Sequence, residues 1–268
     1  MALTARRSLL STGLPQPCAQ AATFLARTSS LTRRETSAYI KLINGLVANG
    51  LWSQLDLLYV LATNNTANAA LNLISTSYSL VPHGSATFIP DMGYAGDGST
   101  GYIDTNWTPS TNAVNYTNAN GSFGIYIQTS RAVNSSAPVG SGSSGATFTI
   151  IQPYETGSLV QYDINDAVFP TVASPSSQGA WLVSRVSGTV SVYRNGSSTA
   201  LGSHVSSPVS LPTQPVTILA FNNSGVRQSW STDQISAVFF GAGLSGAQAA
   251  TMNNLLNAFM VALGHGVY

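Results

Sequence analysis

A mainly β fold, preceded by a small α-helical region and closed by a C-terminal helix, is predicted by three features of this chain. Apolar residues recur at helical spacing before about residue 85, at a period of two after it, and again at helical spacing over residues 245–263. Between these lies a clear hairpin: Trp181 to Val186 and Thr189 to Tyr193 are two β-rich runs split by Ser187-Gly188, and the return strand ends at the turn signal Asn195-Gly196. Val190 and Val192 alternate with Thr189, Ser191 and Tyr193, so one face packs and the other meets water.

Residues 1–31 are expected to be an extended basic N-terminal arm. Up to residue 34 the chain carries Arg6, Arg7, Arg27, Arg33 and Arg34 and no acid. Leu9 and Leu10 are the only apolar run before Pro15 and Pro17, too short for the apolar stretch of an export signal, so the arm is read as docking on a neighbouring chain. Residues 32–85 form a helical assembly region. Thr32 and Glu35 have capping-box spacing, Tyr39, Leu42, Ile43, Leu46 and Val47 follow at three- and four-residue steps, and Asn49-Gly50 offers a left-handed stop. A second helix is expected from Leu51, with Trp52, Leu55, Leu58, Tyr59 and Ala62 on one side, ending at Thr63-Asn64-Asn65. A third, short one covers residues 67–75. Such a cluster is too small to stand alone and must pack on the β region or on a partner. Arg6, Arg7, Arg27, Leu46, Trp52, Leu55 and Tyr59 are therefore the candidate assembly residues.

From residue 86 to 268 the chain reads as strands and then a closing helix. Phe123, Ile125 and Ile127 alternate with Gly124, Tyr126 and Gln128, and further strands are expected at 146–152, 158–163, 216–222 and 234–241. Long Ser-, Gly-, Asn- and Pro-rich loops are expected at 129–145 and 164–180. Ser245 and Gln248 repeat the capping-box spacing, and Met252, Leu255, Leu256, Phe259 and Leu263 make a stripe that stops at Gly264. The last turns, Ala258 to Leu263, are apolar all round, so they lie under the N-terminal helices or enter a subunit contact.

Two stretches carry a family likeness. Asp97-Gly-Ser-Thr-Gly-Tyr-Ile-Asp104 and the 181–196 hairpin resemble the opening and central hairpin of a laminin-G-like (concanavalin A-like) domain, and Phe239-Phe240-Gly241 followed by Leu244-Ser245 is similar to how such domains close. The resemblance implies a jelly-roll β-sandwich over residues 86–268. Preceded by a basic arm and by Gly-Leu-Trp-Ser-Gln-Leu-Asp-Leu-Leu-Tyr-Val-Leu-Ala at 50–62, the whole resembles virion proteins of tailed bacteriophages and prophages. That likeness implies a structural fibre, spike or capsid-surface component located in the virion. Its partners would be other virion proteins and further copies of itself, with glycan recognition at the host envelope.

Composition narrows the chemistry. Asp, Glu, Lys and Arg make up 7% of the chain, against about 25% in ordinary soluble proteins. Net charge is +1, which gives no steering toward nucleic acid. No apolar run approaches the ~20 residues that span a bilayer, so membrane insertion is not expected. Cys18 is alone, which excludes an intrachain disulfide and a Cys-rich metal site.

Glycan cleavage needs two closely set carboxylates, and the chain has only Glu35 and Glu155 as glutamates. Asp163 and Asp166, three apart at a strand end, should fall on opposite faces. His83, His204 and His265 sit beside Pro, Gly or Ser with no nucleophile-elbow motif. No enzyme, cofactor or metal is expected. Laminin-G-like domains often hold a calcium, for which Asp97, Asp104, Asp163 or Asp166 could serve, but these aspartates read as turn caps. For sugars, Trp107, Tyr154 and Trp230 are candidate stacking platforms, with Asn222 as a hydrogen-bonding amide. A free secreted carbohydrate-binding module is the competing reading, and a glycan hydrolase a third.

Overall fold

The computed structural model describes residues 13–132, 135–143, 147–174 and 176–268. Arg6 and Arg7, two of the candidate assembly residues, lie outside the described residues. The Ser187-Gly188 turn forms as expected. Both residues have positive φ, 49° and 85°, the pairing that matches the right-handed twist of the flanking strands. It sets Gly179–Val186 against Thr189–Arg194, Trp181 facing Arg194 and Val186 facing Thr189.

The mainly β sandwich with its closing helix is what the chain adopts. One sheet runs Gly202–Val205, Thr189–Arg194, Gly179–Val186, Asn120–Ile127, Gln234–Gly241. Beyond Gln234–Gly241, two segments share its free edge: Leu55–Val60 along one half, and Gly93–Ala95 with Thr87–Ile89 along the other. The second sheet runs Thr171–Ala173, Leu159–Asp166, Thr147–Glu155, Val139–Ser143, Thr217–Ile218, Tyr102–Asp104, Val81–His83. A side hairpin joins Phe221–Asn223 to Val226–Gln228, and its first strand pairs in parallel with Val139–Ser143.

Two apolar layers result. Between the sheets lie Phe123, Ile125, Trp181, Val183, Val238 and Phe240, facing Ile103, Val139, Ile151, Val160, Tyr162 and Ile218. Outside the first sheet, Tyr126, Leu182 and Phe239 are covered by the helices Ala19–Leu25, Arg33–Ala48 and Gly246–Leu263. Both long helices start with complete capping boxes, Thr32 with Glu35 and Ser245 with Gln248, and the last ends at Gly264 with φ 91°. Of the two placements open to the apolar helix end, packing beside Arg33–Ala48 is the one seen, with Tyr39 against Phe259 at 4.9 Å between ring centroids. No helix among the described residues is long and apolar enough to cross a membrane.

Three local expectations are corrected. The helix expected over 51–62 is one 3-10 turn, Trp52–Gln54, and then the strand Leu55–Val60. Leu57 and Tyr59 face the inter-sheet layer while Leu58 and Val60 face the helix layer. A strand buried on both faces loses its polar alternation and reads as an unbroken apolar run, which periodicity cannot separate from a helix. The third helix shrinks to one turn, Thr66–Ala69, after which Asn72 ties the chain to the strand by accepting from the Leu58 N–H. The arm is not extended where it is described: Ala19–Leu25 is helical, and Ala21 and Phe24 are fully buried.

Candidate functional site

The second sheet carries an aromatic row at its Val81–His83 edge. In Tyr102–Asp104 the side chain of Ile103 enters the core, so those of Tyr102 and Asp104 face outward. Pairing then puts His83 directly opposite Tyr102, where the two rings stack at 4.6 Å and 13°. Trp230 meets Tyr102 edge-on at 6.0 Å and 64°. Arg227 comes from the side hairpin, whose turn Ser224-Gly225 has positive φ at both residues. Its guanidinium lies 4.9 Å from the Tyr102 ring centroid, and Nη2 is 3.3 Å from Asp104 Oδ2.

The entry to this strand is fixed by Asp97. Its carboxylate accepts from the N–H groups of Ser99, Thr100 and Gly101 and from the Ser99 and Thr100 hydroxyls. Those bonds, the Thr100 hydroxyl first, hold its carboxyl far below the usual carboxylate range. It is a turn cap with its oxygens committed. The row therefore offers aromatic surface beside an Arg–Asp pair, groups that suit the CH face and the hydroxyls of a sugar ring.

Of the residues singled out from sequence for glycan contact, Trp230 alone belongs to this row. Tyr154 is half-buried on Thr147–Glu155, three strands from Tyr102–Asp104, or roughly 14 Å at ~4.8 Å per strand. Trp107 is not a surface platform: it is fully buried, tilted on Phe240 at 5.3 Å. Asn222 is buried as well. Its amide donates to Pro215 O and accepts from Gly225 N–H, so it braces the hairpin that carries Arg227. The sequence reading weighed His83 for catalysis and Asp104 as a turn cap or calcium ligand but singled out none of His83, Tyr102, Asp104 and Arg227 for glycan contact, because His83 and Tyr102 become neighbours only through strand pairing.

The assembly residues also need correction. Leu46, Leu55 and Tyr59 are buried within this chain, and the Tyr59 hydroxyl donates to Tyr78 O. None of the three is on offer to a partner. Arg27 and Trp52 do come together, lining one cleft beside helix Ala19–Leu25.

Asp163 and Asp166 converge, contrary to their spacing. A bulge shifts the register between Phe148 and Thr149, which pair with Asp166 and Ile164, and Asn165 takes φ 62°. The inserted residue turns Asp166 inward. There it binds the guanidinium of Arg185, a fully buried arginine that also donates to Ile164 O and Ser206 O at 2.8 Å each. Burial and the adjacent Asp166 push the Asp163 carboxyl up. Asp166 goes below the usual range, because hydrogen bonds from Asp163 and Ser206 outweigh the opposing effect of its burial.

Ser206, His204 and Asp166 also meet, but in no catalytic order. His204 Nε2 faces both the Ser206 hydroxyl (3.3 Å) and Asp166 (3.8 Å), and Ser206 bonds Asp166 directly. A proton relay needs the base to use its two nitrogens on different partners. Asp163, Asp166 and His204 could geometrically surround a cation. Arg185 already supplies the positive charge that Asp166 binds.

The carboxyl pair sets a pH dependence. The folded state raises Asp163, so its stabilising contribution is complete below the unfolded carboxyl value near 4 and is lost as pH rises through the folded one. Denaturant midpoints measured from about pH 7 to about pH 9, above the range in which His204 titrates, should fall in the wild type. In Asp163→Asn, which cannot ionise, this fall should be lost, leaving, below that interval, the small opposite slope of His204, whose charged form burial disfavours.

No known family pattern matches the chain, and no curated protein matches it. Solved structures do. Domain 4 of AbnA, an extracellular GH43 arabinanase from Geobacillus stearothermophilus solved with arabinotriose, aligns with TM-score 0.52 at 12% identity, over 75% of this chain and 98% of that one. A Trypanosoma rangeli sialidase mutant with trans-sialidase activity aligns with TM-score 0.52 at 12% identity, over 85% of this chain and 39% of its own. The binding domain of botulinum neurotoxin serotype D aligns with TM-score 0.50 at 11% identity, over 78% and 52%. At these identities the likeness is one of fold. The chain spans about two fifths of the sialidase and half of the toxin domain.

Proposed function

We propose that this chain is a non-catalytic carbohydrate-binding β-sandwich, displayed on a bacteriophage particle, that holds a sugar against the His83–Tyr102–Trp230 row. The observation that carries the reading is this row, stacked and edge-packed on an outer sheet face beside the Arg227–Asp104 pair. The fold supports it, since an arabinanase domain solved with arabinotriose and a sialidase share the architecture. Absence of catalysis is supported by the carboxylates. Glu35 is consumed in a helix cap, Glu155 accepts from Ser135 N–H, and Asp166 is paired with Arg185.

Trp230→Ala should weaken binding to host surface polysaccharide on the order of 10–100-fold, measured by isothermal titration, with an unchanged melting temperature. Equal affinity in the two proteins would end the reading. The virion setting, with other virion proteins and further copies as partners, comes from the sequence resemblance and is tested separately. The chain should copurify with intact particles through a density gradient, at a fixed stoichiometry to the other virion proteins.

A further inference from the structure

Two clefts, of about 340 and 360 Å³, adjoin at Ile74 and Ser75, which line both, and are treated together as one groove. Each lies in the ~300–1,000 Å³ range of small-molecule sites. Trp52, Arg27 and Thr23 line one end, and Asp56, Asn112 and Trp107 the other.

The second end holds an unmet demand. Trp107 is fully buried and its indole N–H has no acceptor. The chain's other fully buried indole, Trp181, donates to Ser177 O at 2.7 Å. A buried donor left without a partner costs roughly 1–3 kcal/mol, and this one belongs to a side chain packed against the floor of the groove.

The groove carries one group of each sign, Arg27 and Asp56, which balance in charge and both bond to the protein. Arg27 donates to Asn72 O at 2.9 Å and stands 5.8 Å from the Phe24 ring. Asp56 accepts from the backbone N–H groups of Val114, Asn115 and Tyr116, clamping the loop that forms the rim. What remains for a ligand is the half-buried Trp52 ring, the indole N–H of Trp107, the other Arg27 N–H donors, and hydroxyls and amides between them.

We infer that this groove is a second binding site, distinct from the outer-face row, for an extended uncharged oligosaccharide. One sugar stacks its CH face on Trp52, and an oxygen of a later unit accepts the Trp107 N–H. An acceptor oxygen, hydroxyls and no net charge are what the lining asks for. A ligand that reaches both ends must cross Ile74 and Ser75, where the two clefts adjoin, so it is an oligosaccharide and not a single sugar.

The test follows the indole N–H signals of Trp52, Trp107 and Trp181 in the ¹⁵N-labelled protein during titration with neutral linear arabino-, xylo- and malto-oligosaccharides, in a Trp230→Ala background that silences the row. The expected result is a saturable shift of the Trp107 and Trp52 signals together, with one of the three sugars. Val114→Trp, at an 81% exposed rim position where the fold tolerates bulk, should weaken that response at least tenfold. Unmoved Trp52 and Trp107 signals with every sugar would overturn the groove site, and so would a response that Val114→Trp leaves intact. The two proposals fail separately: shifts at Trp107 with no loss of affinity in Trp230→Ala sink the row and keep the groove, and the reverse pattern does the opposite.

Discussion

Replacing Arg185 with alanine is expected to destabilise the fold by about 3–5 kcal/mol, the cost of breaking a buried ion pair from one side. Arg185 is 0% exposed and points between the sheets, in line with Trp181 and Val183 on the same strand face. Its guanidinium satisfies Ile164 O, Ser206 O and the Asp166 carboxylate together. Removal takes a donor from all three, and the carboxylate costs most, because it keeps hydrogen bonds from Ser206 and Val168 but loses its counter-charge while buried. Urea or guanidinium midpoints with an unchanged slope would measure the loss. The companion variant Arg185→Met with Asp166→Asn removes both charges and should be less destabilised than the sum of the two single changes, since neither partner is then left alone. A loss under about 1 kcal/mol in Arg185→Ala would mean that water reaches Asp166 and that the cluster is not the buried brace described above.

How much of this was legible in the sequence depends on whether the cause was local. The hairpin at Ser187-Gly188, the capping boxes at Thr32 and Ser245 and the stop at Gly264 are set by residues a few positions apart, and each appears where its spacing puts it. Leu55–Val60 was misread because its cause is tertiary: helices cover one face and the second sheet the other, which erases the alternation that marks a strand. Val139–Ser143 lay inside an expected loop, since Val-Gly-Ser-Gly-Ser carries no β-rich signal. Its glycines are there for closeness, a Cβ on Gly142 meeting the Phe221 ring at 2.7 Å and the Phe148 ring at 2.8 Å. The bulge at Asn165 overturned the expected separation of Asp163 and Asp166, and bulges leave no periodic trace. At the candidate site the outward alternation of Tyr102 and Asp104 was visible in principle. The partners His83 and Arg227 depended on strand order, which one sequence does not reveal.

Phe24→Ala is expected to cost about 3–5 kcal/mol, the range for emptying a buried aromatic site. The figure bears on what the front of the chain is for. An arm that only docks on a neighbour would keep its apolar residues for that neighbour, and losing one of them would leave the free protein untouched. Instead Phe24 packs on Tyr39 at 5.0 Å, and Tyr39 on Phe259 at 4.9 Å, so one aromatic file joins the first helix, the second and the last. Further back, Cys18 N–H donates to the Asn44 side chain, whose amide returns a bond to Gln16 O. A seven-residue helix has no stability of its own in water, so these contacts are what keep Ala19–Leu25 folded. In Phe24→Ala a drop in the single melting transition should accompany new protease cleavage near Arg27, as the first helix detaches from the layer it helps to cover. Loss of the helix without change in that transition would show instead that the segment is an independent appendage, and the assembly role assigned to Arg27 and Trp52 from sequence would regain its physical basis.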